Sequence, residues 1–488
     1  METGFLAVFE VYILAVLALS LPVMASVHIL KTREDVSAAI AWMGLVWLVP
    51  VMGVVFYLLL GVNRIRRSAR AVRDRQGMVP KTTLDDEQGA GLSGLWPQAP
   101  RRWCAHATLS RRLSRLPLLG DNSLTVFDGG QKALNAMIDA IDQATSSIAL
   151  TSYIFQVDQA GRRFIKALER AKDRGVEIRV LVDAVGNWYG FRPVTGLLRR
   201  RNIQVASFNA PSLTWRLALF NMRTHRKMLI LDGVSAFAGG VNIHRAYVPD
   251  HKGRVAVRDT HFSFTGPVVR QMMAIFMDDW SYATGEALAG PKWFPAADRD
   301  ADITPQSAVM RAVSDGPDED RPVTIRLLES ALYAARDQVH IVTPYFIPDP
   351  SLIQALEHAA LRGVKVCVII PKRSNIPLFA LASASGFTRL MRAGVHIYQS
   401  QPPFDHSKIM MVDDDWALVG SSNWDARSLR LNFEFNMELY GPDGLQDIKK
   451  LLLYKRAQAH LLPLEEHLRR PLWKRMLGRV LWLFSPYL

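Results

Sequence analysis

His225-Arg226-Lys227-Met228-Leu229-Ile230-Leu231-Asp232 recurs 181 residues later as His406-Ser407-Lys408-Ile409-Met410-Met411-Val412-Asp413. Each copy opens on a His and a Lys two positions apart and then runs into four apolar residues. Such a run reads as a strand, where side chains alternate faces, so the imidazole and the ammonium of each copy point the same way. The Asp five positions beyond each Lys points away from it, which suits a structural anchor better than a contact with substrate. A Gly-rich turn ending in Asn follows each copy: Gly239-Gly240-Val241-Asn242 and Gly420-Ser421-Ser422-Asn423.

The repeat extends outward from these motifs. Ser147–Phe155, Gly175–Asp183, Ile203–Phe208 and Met228–Leu231 are strand-like, and Val339–Pro348, Gly363–Pro371, Gly394–Tyr398 and Ile409–Val412 repeat them in order. Tyr153 corresponds to Tyr345, Gly175-Val176 to Gly363-Val364 and His225 to His406, at offsets of 192, 188 and 181 residues. An offset that drifts slowly is what loop insertions and deletions do to a duplicated unit. Strands alternating with helices predict an α/β fold of two pseudo-symmetric units, each a mixed sheet flanked by helices.

The motif pair also fixes a class of chemistry. Phosphodiester transfer needs a nucleophile, a proton donor for the leaving oxygen and fixed positive charge on the non-bridging oxygens. Two histidines supply the first two, and Lys227 and Lys408 the third. Asn242, Asn423 and Ser421 are candidate hydrogen-bond donors to the phosphate. Gly240 stands where the second turn has Ser421, so the two halves are expected to contact phosphate unequally. Asp259 and Glu434 are candidate carboxylates that orient the histidines, with an ordinary ion pair as the alternative. His244, His251 and His261 lack the ligand spacing of a zinc site, so no metal is expected.

The 488 residues are 49% hydrophobic and carry a formal net charge of +14. Two apolar runs, Phe5–Leu30 and Ala38–Val62, are each long enough for a span of roughly 20 residues. The leading Met1-Glu2-Thr3-Gly4 has no Lys or Arg, which argues against a cleaved signal peptide. Arg64, Arg66, Arg67, Arg70, Arg73 and Arg75 follow the second run, a bias that predicts an N-terminal two-helix transmembrane hairpin with the catalytic body in the cytoplasm. The basic charge fits an anionic lipid surface or nucleic acid. With only Cys104 and Cys367, there is no disulfide framework.

The expected organisation is a membrane hairpin with a basic segment (1–75), a linker (76–120), a first unit (121–287), an inter-unit linker (288–322) and a second unit (323–488). The second unit ends in an amphipathic helix over Leu472–Phe484, which reads equally as interfacial or as packed on the body. Leu213–Arg223, just before His225, reads as an acyl-receiving lip or as an amphipathic core helix.

The paired motifs resemble those of the phospholipase D superfamily. Thr343-Pro344-Tyr345-Phe346-Ile347-Pro348-Asp349, Arg258-Asp259-Thr260-His261, Asp278-Asp279-Trp280, Asn423-Trp424-Asp425-Ala426-Arg427-Ser428, Asn432-Phe433-Glu434, Ala41-Trp42 and Ser485-Pro486 look like its bacterial cardiolipin synthase branch. The resemblance covers nearly the whole chain. It implies a multi-pass protein of the bacterial inner membrane that converts two phosphatidylglycerols to cardiolipin and glycerol without a cofactor. Its partners would be phosphatidylglycerol and anionic membrane lipid, with no nucleic acid; a homo-oligomer is left open. It further implies a catalytic set of His225, Lys227, Asp232, His406, Lys408 and Asp413, with a phosphohistidine on His225 and His406 as acid and base, roles that the pseudo-symmetry could exchange. A phospholipase D-type hydrolase or a nuclease with the same motifs is the alternative.

Overall fold

The computed structural model describes residues 16, 19–32, 36–58, 91–189, 193–209, 223–296, 308–317 and 322–483. The chain divides into two units, Met1–Ser68 and Ala69–Leu488. In the first, residues 19–32 are helical and are followed by α1 (Val36–Leu48) and α2 (Pro50–Phe56). Ala25, Ile29, Val46, Val54 and Tyr57 form its small core, and the Tyr57 hydroxyl lies 2.7 Å from His28 Nδ1.

The transmembrane hairpin, and the multi-pass inner-membrane placement inferred from it, require correction. Among the described residues no helix is long and apolar enough to cross a membrane. The second expected span is divided at Val49-Pro50, where Val49 leaves the helical region (φ −135°, ψ 76°) and Pro50 starts a new helix. Proline lacks the N–H of a continuing helix and its ring crowds the carbonyl four residues back. The 13 residues of α1 then rise about 20 Å, against the roughly 30 Å of a hydrocarbon core. Most of the first expected span before Leu19 lies outside the described residues, as do the arginines from Arg64 to Arg75.

The second unit opens with α3 (Arg101–Ser114) and holds one sheet running through both sequence repeats. The first half contributes β1 (Leu119–Asp128), β2 (Ser147–Ser152), β3 (Glu177–Asp183), β4 (Gln204–Phe208), β5 (Arg223–Thr224) and β6 (Met228–Leu231). It continues with β7 (Ser235–Gly239), β8 (Val257–Arg258) and β9 (Thr260–Thr265). Its helices are α4 (Gly130–Gln143), α5 (Gln159–Asp173) and α6 (Val268–Thr284). The second half contributes β10 (Ala308–Asp315), β11 (Gln338–Val342), β12 (Phe346–Ile347), β13 (Lys365–Pro371), β14 (His396–Ser400) and β15 (Phe404–Asp405). Then come β16 (Ile409–Val412), β17 (Trp416–Gly420), β18 (Trp424–Asp425), β19 (Asn432–Tyr440) and β20 (Ala459–Leu461). Its helices are α7 (Val323–Ala334), α8 (Pro350–Leu361), α9 (Pro377–Arg392), α10 (Gln446–Ala457), α11 (Leu464–Leu468) and α12 (Leu472–Leu483).

Each half has the same order. From the centre outward the first runs β1-β9-β7-β6-β2-β3-β4 and the second β10-β19-β17-β16-β11-β13-β14. In both, three parallel strands meet four antiparallel strands toward the centre, and β20 adds an antiparallel strand outside β14 in the second half. β2, β3, β11 and β13 are buried along most of their length, the pattern that makes such strands legible as hydrophobic runs, while the outer β4 and β14 are partly exposed. The two expected mixed-sheet units are therefore present, joined into one sheet by antiparallel pairing of β1 with β10.

Two stretches read as linkers contain structure. Arg101–Ser114 is helical, and its Trp103 is fully buried and stacked on Trp416 with ring centroids 5.9 Å apart. Ala308–Asp315, inside the expected inter-unit linker, is the strand β10 and pairs with β19 along its length.

Candidate active site

Two short strand exchanges bring the histidines together. β5, just before the first motif, leaves its own half to pair with β19, and β15, just before the second, pairs with β8. The backbone continues the exchange past each strand: His225 N donates to Phe433 O at 2.9 Å and His406 N to Arg258 O at 2.7 Å. Asp183, at the end of β3, holds the start of the first crossing by accepting from Thr224 N at 3.0 Å.

The crossing pairs each histidine with the other half's carboxylate. His225 Nδ1 lies 3.0 Å from both Glu434 oxygens, and His406 Nδ1 lies 2.8 Å from Asp259 Oδ2. Both carboxylates are fully buried. With Nδ1–H donating to the carboxylate, each ring is fixed and Nε2 is left as the reactive nitrogen. Asp259 and Glu434 thus hydrogen-bond the histidines across the halves rather than within them.

Glu434 is held from several sides. Ser421 and Ser428 donate hydroxyls to it at 2.5 Å and Asn432 Nδ2 at 3.3 Å. Burial alone would push this carboxyl up, but the charge and hydrogen bond of His225, the charge of Lys227 and the Ser421 hydroxyl outweigh it and hold it below the usual value. Asp259 accepts from Thr260 N at 2.8 Å. It occupies the space of an absent side chain at Gly240, where a Cβ would fall 2.2 Å from Asp259 Oδ1. The Gly/Ser difference between the turns is therefore a difference in how each carboxylate is seated, and the Ser421 hydroxyl expected to face phosphate faces Glu434.

Lys227 and Lys408 are buried beside the histidines. Lys227 Nζ donates to His225 O at 2.5 Å and lies 5.4 Å from the centre of the Tyr153 ring. Lys408 Nζ is 2.9 Å from His406 Nδ1 and also donates to His406 O. Burial holds Lys227 down to about 7, with the charge of Lys408 adding to it, and Lys408 to about 8, although Glu434 and Asp259 pull the other way. Burial and neighbouring Lys408 push His406 down to about 4, and burial likewise lowers His225. The neutral form, which a nucleophile requires, is thereby favoured, while Glu434 beside His225 and Asp259 beside His406 pull toward the charged form.

Other predicted residues do different work. Asp232 accepts from the backbone N–H groups of Thr145, Ser146 and Ser147 at 2.7–2.9 Å, and Asp413 from those of Arg336, Asp337 and Gln338 at 2.8–2.9 Å. Both aspartates tie the end of a motif strand to the start of its neighbour. Asn242 Oδ1 accepts from Ile154 N at 3.2 Å. Asn423 is buried, and its Oδ1 has no hydrogen-bond partner. His244 Nδ1 and His261 Nδ1 each accept from a backbone N–H, of Ala246 and Val241. Among the described residues no three His, Cys, Asp or Glu gather as a metal site would require. Residues 213–222 of the expected lip lie outside the described residues.

Tyr153, Tyr345 and Ser428 were not singled out for the site from sequence. The Tyr153 ring meets His225 edge-on at 5.1 Å, and Tyr345 meets His406 at 6.2 Å. Their equivalent places in the repeat were the available signal.

Known proteins resemble this chain along most of its length. A family model described as "Cardiolipin synthase, PLD-like domain" matches residues 137–280 and 328–454, and one described as "Phospholipase D-nuclease N-terminal" matches residues 21–61. The cardiolipin synthase of Geobacillus sp. (strain WCH70) is 31% identical over 95% of this chain and 91% of its own length. Cardiolipin synthase A of Pseudomonas putida (strain GB-1) is 29% identical over 98% of both. Among solved structures, the phosphatidylserine synthase of Haemophilus influenzae Rd KW20 superposes with a TM-score of 0.60 at 14% identity, over 78% of this chain and 98% of that one, which is a likeness of fold.

Proposed function

The chain belongs to the phospholipase D superfamily, as a phosphatidyltransferase related to the bacterial cardiolipin synthases, and we propose that its crossed half-sites join two phosphatidylglycerols into cardiolipin and glycerol. The observation that carries this reading is the pair of histidine–carboxylate contacts between halves, at 3.0 and 2.8 Å. They make two distant motifs into one site with two reactive Nε2 atoms.

His225 Nε2 attacks the phosphorus of the first lipid, and the bond from phosphorus to the glycerol headgroup breaks. His406, which takes up a proton as the phosphodiester anion binds, gives it from Nε2 to the departing glycerol oxygen. The phosphatidyl group is then held as a phosphoramidate on His225. His406, now neutral, takes the proton from the terminal hydroxyl of a second phosphatidylglycerol; that oxygen attacks phosphorus and the P–N bond breaks. Atoms balance, and both histidines return to their starting forms. Lys227 and Lys408 offset the charge on the non-bridging oxygens, and a bound phosphodiester anion in turn keeps them protonated. Glu434, anchored by Ser421 and Ser428, fixes the His225 ring, which supports its assignment as the nucleophile. Lys408, beside His406, makes that imidazolium the readier proton donor.

The test is lipid mass spectrometry after incubating the purified chain with dioleoyl-phosphatidylglycerol in mixed micelles. Cardiolipin and glycerol in equal amounts are expected. Phosphatidic acid in place of cardiolipin would make water the acceptor and the protein a hydrolase. His406→Ala is expected to accumulate a phosphatidyl adduct on the peptide containing His225; an adduct on His406 in a His225→Ala protein would reverse the roles.

A further inference from the structure

The C-terminal helix α12 packs against α9 at backbone distance. Gly478 is buried, and a Cβ there would come within 2.5 Å of Leu381 O. Leu481 joins Tyr345 against Ile347, Phe379 and Ala382. The Phe379 ring is 4.9 Å from that of Tyr345, which meets His406. The helix pair therefore flanks the His406 side of the site.

Only one face of α12 is used in this contact. Leu472, Trp473, Met476, Val480 and Leu483 are exposed. At about 100° per residue, Arg475 and Arg479 border this apolar sector on the side away from Leu481. They line a cleft between α9, α11 and α12 with Arg389, Arg392, His467 and Arg470. Arg389 is paired with Glu357 at 2.5 Å. Among the described residues, Arg392, Arg470, Arg475 and Arg479 have no carboxylate partner. Burial and the neighbouring Arg475 charge lower Arg470, and burial with both arginines pushes His467 down to about 4. Guanidinium groups gathered without a counter-charge repel one another, and their planar donor forks match phosphate oxygens. An apolar stripe bordered by arginines is the pattern of a helix lying in a lipid interface, its cations at headgroup depth.

We propose that the cleft between α9, α11 and α12 binds the phosphodiester headgroup of an anionic phospholipid while Trp473, Met476 and their neighbours enter its acyl layer. The helix then holds a lipid surface against the mouth of the active site. The inference rests on the phosphatidyltransferase reading, and it concerns how lipid is delivered rather than how phosphorus reacts.

The experiment compares turnover of dihexanoyl-phosphatidylglycerol, supplied as monomers, with turnover of dioleoyl-phosphatidylglycerol diluted in neutral mixed micelles. Two variants of the full chain are used, R392Q/R475Q/R479Q and W473Q/M476Q; the second alters only exposed side chains and so should fold as wild type. Both are expected to turn over the monomeric lipid like wild type and to show a higher KM on the micelle surface with kcat unchanged. Each charge near an anionic surface is worth roughly a fivefold change in binding, so the KM of the triple variant should rise on the order of a hundredfold. Wild-type surface KM in both variants would overturn the proposal, as would an equal rise on monomers, which would put the arginines inside the catalytic site. Inhibition of wild type by millimolar inorganic phosphate, with the W473Q/M476Q protein unaffected on micelles, would assign the cleft to a free anion and also overturn it. No turnover of either lipid by wild type would instead overturn the transferase reading itself.

Discussion

Glu434 accepts from His225, Ser421, Ser428 and Asn432 in a fully buried position, so removing its charge while keeping its shape tests its role cleanly. Glu434→Gln is expected to lower kcat on the order of 10²- to 10⁴-fold with little change in KM, because the ring loses its orienting acceptor and its compensating charge. Initial rates on micellar phosphatidylglycerol give both constants. Gly240→Ala places a methyl within 2.2 Å of Asp259 Oδ1 and should displace the carboxylate that holds His406, with a similar loss. The titrating groups predict a bell-shaped profile of kcat/KM against pH. His225 is shifted down, so the nucleophile is lost to protonation only below the ordinary histidine range; Lys227 and Lys408 are held to about 7 and 8, so the phosphate-binding charge is lost above that range. A profile still rising above pH 9 would contradict the lysine assignment. The histidines, lysines and both carboxylates were legible in the motifs. Which carboxylate serves which histidine was not, because it depends on strand exchange between residues about 150 to 200 positions apart.

The strand ends show the same division of labour. Asp232 and Asp413 sit at φ 54° and 51°, a left-handed turn that Asp tolerates, and each gathers three backbone N–H groups from the start of the adjacent strand. Asp413→Ala should therefore destabilise the fold by about 1–3 kcal/mol through the loss of three backbone hydrogen bonds, while the folded fraction keeps its kcat. Thermal unfolding beside active-site titration separates the two effects. Alternation along the motif strands made this structural role legible. β2, β3, β11 and β13 were equally plain as apolar runs. β10 was not: Ala308–Asp315 carries Arg311 in its middle and is flanked by Pro, Gly and Asp, so it reads as a loop. α3 was hidden by the basic residues that dominate Arg101–Ser114. In the N-terminal unit, hydropathy summed across Val49-Pro50 concealed a helix break that backbone geometry imposes.

In the molecule as a whole, α3 is fastened to the second half by Glu438, which is fully buried and accepts from Arg311, His106, Ser110, Trp416 and Tyr440. Burial pushes its carboxyl up, but Arg311 and the His106 and Ser110 contacts hold it far below the ordinary glutamate value. A depressed folded-state value gives stability that is present above the unfolded glutamate value and lost as pH falls toward the folded one. Acid unfolding should steepen below about pH 4.5, and Glu438→Gln, which leaves Arg311 buried without its counter-charge, should cost about 3–5 kcal/mol. The duplication decides how catalysis responds to mutation, because neither half owns a complete site. Cardiolipin formation by His225→Ala, His406→Ala and the double variant tests that most directly. A single shared site predicts that each substitution lowers turnover by 10³-fold or more and that the double variant is no worse than either single one, whereas about half the wild-type rate in each single variant would mean two independent sites and contradict the account.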